Sequence, residues 1–430
     1  MSYVSKSSHN VFNALSRREY GKPTALKSYL GYRVEKNLVS KNHTKTIFSG
    51  HQQRIHAVDI KGAFAASMSF DYTIKLWNCE TGQCLWTFRA NPVVRWSEML
   101  KIVDGRIVCS GLAETSVEHK LDNTIRLLDL KTGNEEATIT HPQLCYEEVC
   151  AVGNRIFGLL NTGKISEWDL HGNQIQLIDS EILVGSFPKF FGEGNFLVYA
   201  CDDKILIHNL TTNDKQKIVF EPKSVEYFDK TSITQVRLDG SRLFCGLRTH
   251  QVRTLTDCVV IDLETCTMIH SYQATGAFLH TERDRDRTLY TTEAGYVSSF
   301  VVDNEKMYVG HNSGKIVAID LAEKSHIVLG QHNHAIFYMS IEGGILVTGS
   351  SGLFNSGAEL KFWNVKSLSK LAEMELPDLC RVSLIGGKVL AATGSSLVQW
   401  DYLVGHEGEK LITQSSPSDA VAAPDPCVIQ

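Results

Sequence analysis

Eight copies of one short pattern, spread along 430 residues, constrain this chain more than any other feature. Each copy has two or three β-branched or aliphatic residues, a bulky residue, Asp or Asn, and then turn formers. They read IKLWNCETG from Ile74, IRLLDLKTG from Ile125, ISEWDLHGN from Ile165, ILIHNLTTN from Ile205, VVIDLETCT from Val259, IVAIDLAEK from Ile316, LKFWNVKSL from Leu360 and LVQWDYLVG from Leu397. The residue before the Asp or Asn is in turn Trp77, Leu128, Trp168, His208, Ile261, Ile319, Trp363 and Trp400, a recurrence of about 46 residues. Upstream of most copies lies a second extended run framed by turn residues, such as DGRIVCSG (Asp104 to Gly111), GNFLVYACDD (Gly194 to Asp203) and GGILVTGSSG (Gly343 to Gly352). Alternation with turn chemistry of this kind predicts hairpins rather than helices. A unit of this size cannot bury two apolar faces by itself, so the units must stack on one another.

The first copy carries more. In FSGHQQRIHAVDIKGAFAASMSFDYTIKLWNCETGQCLWTF, the residues Gly50, His51, Ser67, Ser69, Asp71 and Trp77 fall where the Gly-His, Ser-x-Ser-x-Asp and Trp-Asp signatures of WD repeats fall, with Asn78 in place of the usual Asp. The chain therefore resembles the WD-repeat β-propeller family, and the repeat period matches a four-stranded blade. The resemblance implies an all-β propeller over residues 43–403 and a hydrogen-bonded tetrad in blade one formed by His51, Ser67 or Ser69, Asp71 and Trp77. Eight markers give eight blades; a seven-bladed ring requires one copy to be an insertion. It also implies that Lys45 to Gly50 can lend a strand that closes the ring. The other copies are degenerate: the second keeps only Asp122, and those around His208 and Ile261 lack Trp.

Composition narrows the partners. Lys and Arg total 43 against 48 Asp and Glu, so no global basic field is available for nucleic acid. The 11 cysteines stand singly, with no CxxC pair, as reduced and mostly buried thiols of a cytosolic protein would. No run approaches the apolar length of a membrane span, and the N-terminus has no signal-peptide core. Residues 1–42 form a polar extension in which Asn10 to Tyr20 and Ala25 to Asn37 are candidate helices.

After Trp400 the periodic pattern stops. Residues 404–426 read as a flexible linker with three prolines. It leads to Cys427, Val428, Ile429 and Gln430, a CaaX prenylation box whose terminal Gln favours farnesyl. Cys427 is thus the expected lipidation site. Prenyl transfer places the chain in a eukaryotic cytosol, peripherally on a membrane. The pairing of such a box with a eukaryotic-type repeat domain resembles effectors that intracellular bacteria deliver into host cells, and is equally permitted to a eukaryotic protein. One lipid chain binds marginally, so a second contact must come from the repeat domain or its partner.

Catalytic signals are weak. There is no GxSxG, P-loop or HExxH. His332 and His334 form an HxH pair without a third ligand at metal-site spacing, and read as a degenerate Gly-His repeat start. ERDRDR, from Glu282 to Arg287, reads as a solvated loop. No catalytic residue, metal or cofactor is expected, and the chain is expected to be a monomeric binding protein rather than an enzyme. Binding has better candidates. Three loops between second and third strands look expanded, at Leu112 to Asn123, Arg248 to Asp257 and Leu353 to Glu359, and should share one face. Arg95, Trp96, Tyr146, His250, Arg253, Phe337, Phe354 and Arg381 are the expected rim anchors, since aromatic and Arg side chains dominate interface energetics. The expected function is a membrane-tethered scaffold or adaptor for a protein partner. A regulator of nucleotide exchange on a small GTPase, and a receptor for phosphopeptides or for substrates of the ubiquitin pathway, are the alternatives.

Overall fold

The computed structural model describes residues 24–403, apart from 90–93, 96–98, 115–120, 141–145, 181–188, 202–203, 220–230, 250–257, 266, 273–278, 285–286, 293–296, 304 and 353–356. Among the described residues eight antiparallel sheets form the blades, each built on four strands laid side by side in chain order except in the last, and a two-stranded hairpin makes a ninth sheet. Blade one comprises Ile55–Lys61, Phe64–Ser69, Thr73–Asn78 and Cys84–Arg89. Blades two to seven follow, their innermost strands at Leu100–Val103, Tyr146–Val152, Lys189–Glu193, Thr231–Asp239, Val297–Asp303 and Ile336–Glu342. In blade eight the inner three strands, Arg381–Ile385, Lys388–Thr393 and Ser396–Asp401, are contributed by the end of the described chain. The fourth is Thr44–Ser49, paired antiparallel so that Thr44 faces Asp401 and Ser49 faces Ser396.

All eight sequence markers lie in third strands, one per blade, which resolves the count at eight rather than seven. The Asp or Asn after each marker acts on the turn that follows. Its Oδ1 accepts backbone N–H groups two and three residues on: Glu80 and Thr81 to Asn78, Thr211 and Thr212 to Asn209, Lys366 and Ser367 to Asn364. The same pair of bonds recurs at Asp129, Asp262 and Asp320, while Asp169 accepts from the N–H groups of His171 and Asn173 and Asp401 from that of Leu403. A short carboxylate or amide thus replaces a backbone acceptor where the strand must reverse, which is why the repeat preserves this position when Trp is lost.

Eight apolar clusters fill the eight gaps between adjacent blades. Met68, Leu76 and Trp86 of blade one meet Leu100, Ile107 and Leu128 of blade two. The series continues round to Phe48, Leu390 and Leu397 of blade eight against Ile55, Val58 and Trp77 of blade one. As many interfaces as blades means a closed ring, with no sheet face left to water. The seven-eight gap is also sealed by helix α1, Thr24–Val39, whose Val34 and Leu38 join Phe362, Leu379 and Tyr402. Asn37 donates to the Tyr402 carbonyl and Arg33 to that of Leu403, at 3.2 Å. Gly31 has no room for a side chain, because a Cβ there would overlap the Gly343 carbonyl.

Two expectations are corrected. Much of the expanded loop from Leu112 to Asn123 is strand, since Leu112 pairs with Asn123, Ala113 with Asp122 and Glu114 with Leu121. ERDRDR is likewise mostly paired: it caps a separate hairpin, Leu279–Asp284 with Arg287–Thr292, inserted between blades five and six. Alternating charge is compatible with a two-stranded ribbon because both of its faces can meet water. The expected helix from Asn10 to Tyr20 lies outside the described residues, as do the linker and Cys427, Val428, Ile429 and Gln430.

Candidate protein-binding face and central channel

The face that carries the loops into the inner strands is built on hydrogen-bonded tetrads. In blade one, His51 Nδ1 lies 3.0 Å from Asp71 Oδ2, and Nε2 lies 2.7 Å from Ser67 Oγ. Trp77 Nε1 donates to the same Ser67 oxygen at 2.7 Å. The network assigns the proton to Nδ1, which donates to Asp71 while Nε2 accepts from Ser67. Burial holds the imidazole below its usual range against the pull of Asp71. Burial pushes the Asp71 carboxyl upward, but hydrogen bonds from His51, Thr73 and the Gln52 N–H outweigh it and hold the carboxylate well below normal. Ser69 is not a tetrad member: its hydroxyl donates to the Gln53 carbonyl and accepts the Asp71 N–H, fixing the turn.

A second tetrad, with conservative replacements, stands in blade seven. His332 Nε2 is 2.8 Å from Thr348 Oγ1, Nδ1 is 3.1 Å from Glu359 Oε2, and Trp363 Nε1 donates to Thr348 at 2.9 Å. Thr and Glu occupy the Ser and Asp roles, so pattern matching for Ser-x-Ser-x-Asp passes over it. The HxH pair reads as a Gly-His start after all, and both nitrogens of His332 are engaged within the blade. Among the described residues no group of three His, Cys, Asp or Glu could hold a metal ion.

The expected rim anchors separate into three groups. Trp96, His250, Arg253 and Phe354 lie outside the described residues, and of Arg95 only the backbone is described, paired with Leu112 on the tall blade-two hairpin. Tyr146 is a correction: it is buried and packs edge-on against Trp168, with ring centroids 5.4 Å apart. It belongs to the core between blades two and three, and burial pushes its phenol up to about 12. Alternation explains the miss, since Tyr146 opens its strand on the side that faces the neighbouring blade. Phe337 and Arg381 are brought together. Both line a cavity of about 590 Å³ in the middle of the ring, walled by the innermost strands of blades four to eight.

Two further residues of that cavity escaped the sequence reading, Arg237 and Glu193. Arg237 sits in QVRLD, where it alternates with the buried Val236 and Leu238. A charged residue at the odd position of an innermost strand has only the channel to face, and that was the available signal. Burial and the nearby charge of Arg381 both disfavour protonation of Arg237, while Glu193 favours it. Glu193, at the far end of its strand, is pushed toward its neutral form by burial, against the attraction of Arg237.

In three dimensions the ring superposes on solved structures over most of its length. The computationally designed Ika8 protein matches with a TM-score of 0.61 at 17% identity, covering 83% of this chain and 98% of that one. BamB from Moraxella catarrhalis matches at 0.59 and 10% identity, over 84% and 99%. The chain is an eight-bladed β-propeller. Sqt1 of Saccharomyces cerevisiae shares the architecture with the propeller at a TM-score of 0.59 and 12% identity, over 83% of this chain and 97% of that one. At such identities the likeness concerns fold alone. In sequence, the propeller is similar to the WD repeat-containing protein SL1-17 of Schistosoma mansoni, 26% identical over 161 residues. That stretch is 36% of this chain, and the chain spans about half the length of this curated relative. No family model matches.

Proposed function

We propose that the propeller is a protein-binding scaffold, without catalysis of its own, that takes its partner at the mouth of the central channel. Phe337 carries this reading. It is 44% exposed one residue after the fully buried Ile336, at the start of an innermost strand and beside the channel that Arg381 lines. An aromatic ring left in water next to an arginine has the composition of an interface anchor, and its truncation should cost about 2 kcal/mol of binding. The tetrads support the reading because they hold the adjoining loops to the sheet, so a partner meets a preorganised surface.

The test is site-specific crosslinking in a eukaryotic cell, with a photoreactive phenylalanine at position 337 and, as control, at Leu177, which is equally open on an outer strand at 50% exposure. A discrete adduct from position 337 that is absent from position 177 supports the channel mouth. Equal adducts, or none, remove it. The membrane half of the proposal is that a farnesyl group on Cys427 tethers the propeller in a eukaryotic cytosol; the tetrapeptide Cys427, Val428, Ile429 and Gln430 supports it. Labelled farnesyl incorporation and membrane fractionation that are both lost in Cys427→Ser are the expected result, and no difference between the two chains discards the tether.

A further inference from the structure

The channel wall holds an electrostatic arrangement that protein binding at Phe337 does not account for. Arg237 and Arg381 both line the 590 Å³ cavity and both are exposed to its interior. Among the described residues neither guanidinium forms a hydrogen bond or an ion pair, whereas Arg242, just beyond the turn from Arg237, is paired with both Asp239 and Glu305. The two are near enough for the charge of Arg381 to disfavour protonation of Arg237. Arg237 stands two residues above the end of its strand at Asp239, and Arg381 four residues above the end of its strand at Ile385, so the two approach from different depths. Level with Arg237, Ser383 adds a hydroxyl to the wall. Two unpaired forks in a space partly closed from bulk water repel one another more strongly than they would at an open surface. A monoanion leaves that pair half compensated; a dianion neutralises it and offers enough oxygens for two forks.

We propose that Arg237 and Arg381 form a binding site for a phosphoryl dianion in the central channel. The phosphoryl group arrives either as a free phosphate-bearing small molecule or on a residue of the partner, and only the second source rests on the scaffold reading above. Glu193 lines the same cavity near its lower rim and, among the described residues, is the carboxylate whose charge favours protonation of Arg237. Its carboxyl is disfavoured as an anion by burial and makes no hydrogen bond to Arg237. It therefore weakens the site through space without filling it.

The experiment is calorimetric titration of the full chain with two probes at constant ionic strength set by chloride. One probe is inorganic phosphate and the other a blocked tripeptide containing phosphoserine, with its unphosphorylated form as control. The chains compared are the wild type, Arg237→Gln, Arg381→Gln, Arg237→Lys and Glu193→Gln. Loss of one charge-assisted pair should weaken binding at least tenfold in either glutamine variant. Arg237→Lys, which keeps the charge and loses the fork, should fall between, and Glu193→Gln should bind more tightly than wild type. Thermal melts in chloride alone keep the test readable: relief of like-charge repulsion leaves the glutamine variants as stable as wild type or more so. Binding of inorganic phosphate itself identifies a free oxyanion as sufficient, and binding of the phosphopeptide alone identifies the partner as source. Binding that persists in both glutamine variants, or absence of binding by both probes, overturns the site. So does weaker binding or lower stability in Glu193→Gln, which would make Glu193 the structural counter-ion of Arg237.

Discussion

His51 in blade one and His332 in blade seven are each almost wholly buried, and this sets how the protein responds to acid. Both imidazoles are held below the usual value of 6.5, in each case first by burial; for His332 the Lys361 ammonium adds to it. The unfolded chain takes up these protons as pH falls through 6.5, while the folded chain resists. Their contribution is therefore complete above that value and is lost progressively on acidification. Asp71 and Glu359 are depressed carboxylates, so their share is present above the normal carboxylate range and disappears below it. The melting temperature should be flat above neutrality and fall from about pH 6.5 downward, and His332→Gln should start lower but decline less steeply between pH 6.5 and 4.5. The hydroxyl of each tetrad is a separate test. Ser67→Ala or Thr348→Val leaves a buried indole N–H and an imidazole nitrogen without a partner, and each should cost about 1–3 kcal/mol by denaturant unfolding. A near-zero cost for Thr348→Val would show that the blade-seven tetrad contributes no stability. The blade-one tetrad was legible because its residues follow the family spacing, whereas that of blade seven was hidden by two conservative replacements that only geometry reveals as equivalent.

At the level of single elements, the most informative segment is α1. Of its described side chains Val34 and Leu38 enter an apolar core, its backbone touches the Gly343 turn, and Asn37 and Arg33 hold the carbonyls at the end of the last strand. Gly31→Ala should lift the helix from the turn, with a cost of about 1–3 kcal/mol and faster amide exchange confined to residues 24–39 and the 343–344 turn. Global loss of protection would mean that the helix is integral to the ring. The helix was expected from residues 25 to 37, but its role was not, because glycine in mid-helix reads as a weakness until the neighbouring carbonyl is seen. The third strands show the converse. Their Asp or Asn was visible as a recurring letter, and its purpose, accepting N–H groups of the following turn, follows from side-chain length. The expanded loop of blade two was misread: Leu112 to Glu114 pair with Leu121 to Asn123 and continue the hairpin, and a turn-rich polar composition does not by itself distinguish such a strand extension from a loop.

The whole molecule depends on closure by Thr44–Ser49. Phe48 is fully buried between blades eight and one, edge-on to Trp77 with ring centroids 5.9 Å apart. Phe48→Ala should cost about 3–5 kcal/mol, and it should lower the stability of the entire ring in one transition rather than release blade eight alone. A separate early transition in calorimetry would contradict that coupling. Removal of residues 1–43 should leave the ring closed but less stable, since it uncovers the seven-eight gap, whereas removal of residues 1–50 should open it. What the sequence by itself determined is whatever repeats at fixed spacing: the number of blades, the third strands, the turn acceptors and one complete tetrad. Each follows from local chemistry that a single segment can specify. Only the tertiary structure decided which residues share the channel. Arg237, Phe337 and Arg381 come from three blades and from unremarkable positions in their strands. Nothing but the curvature of a closed ring, which turns one side of each separate inner strand toward a common axis, brings their charges and surfaces together.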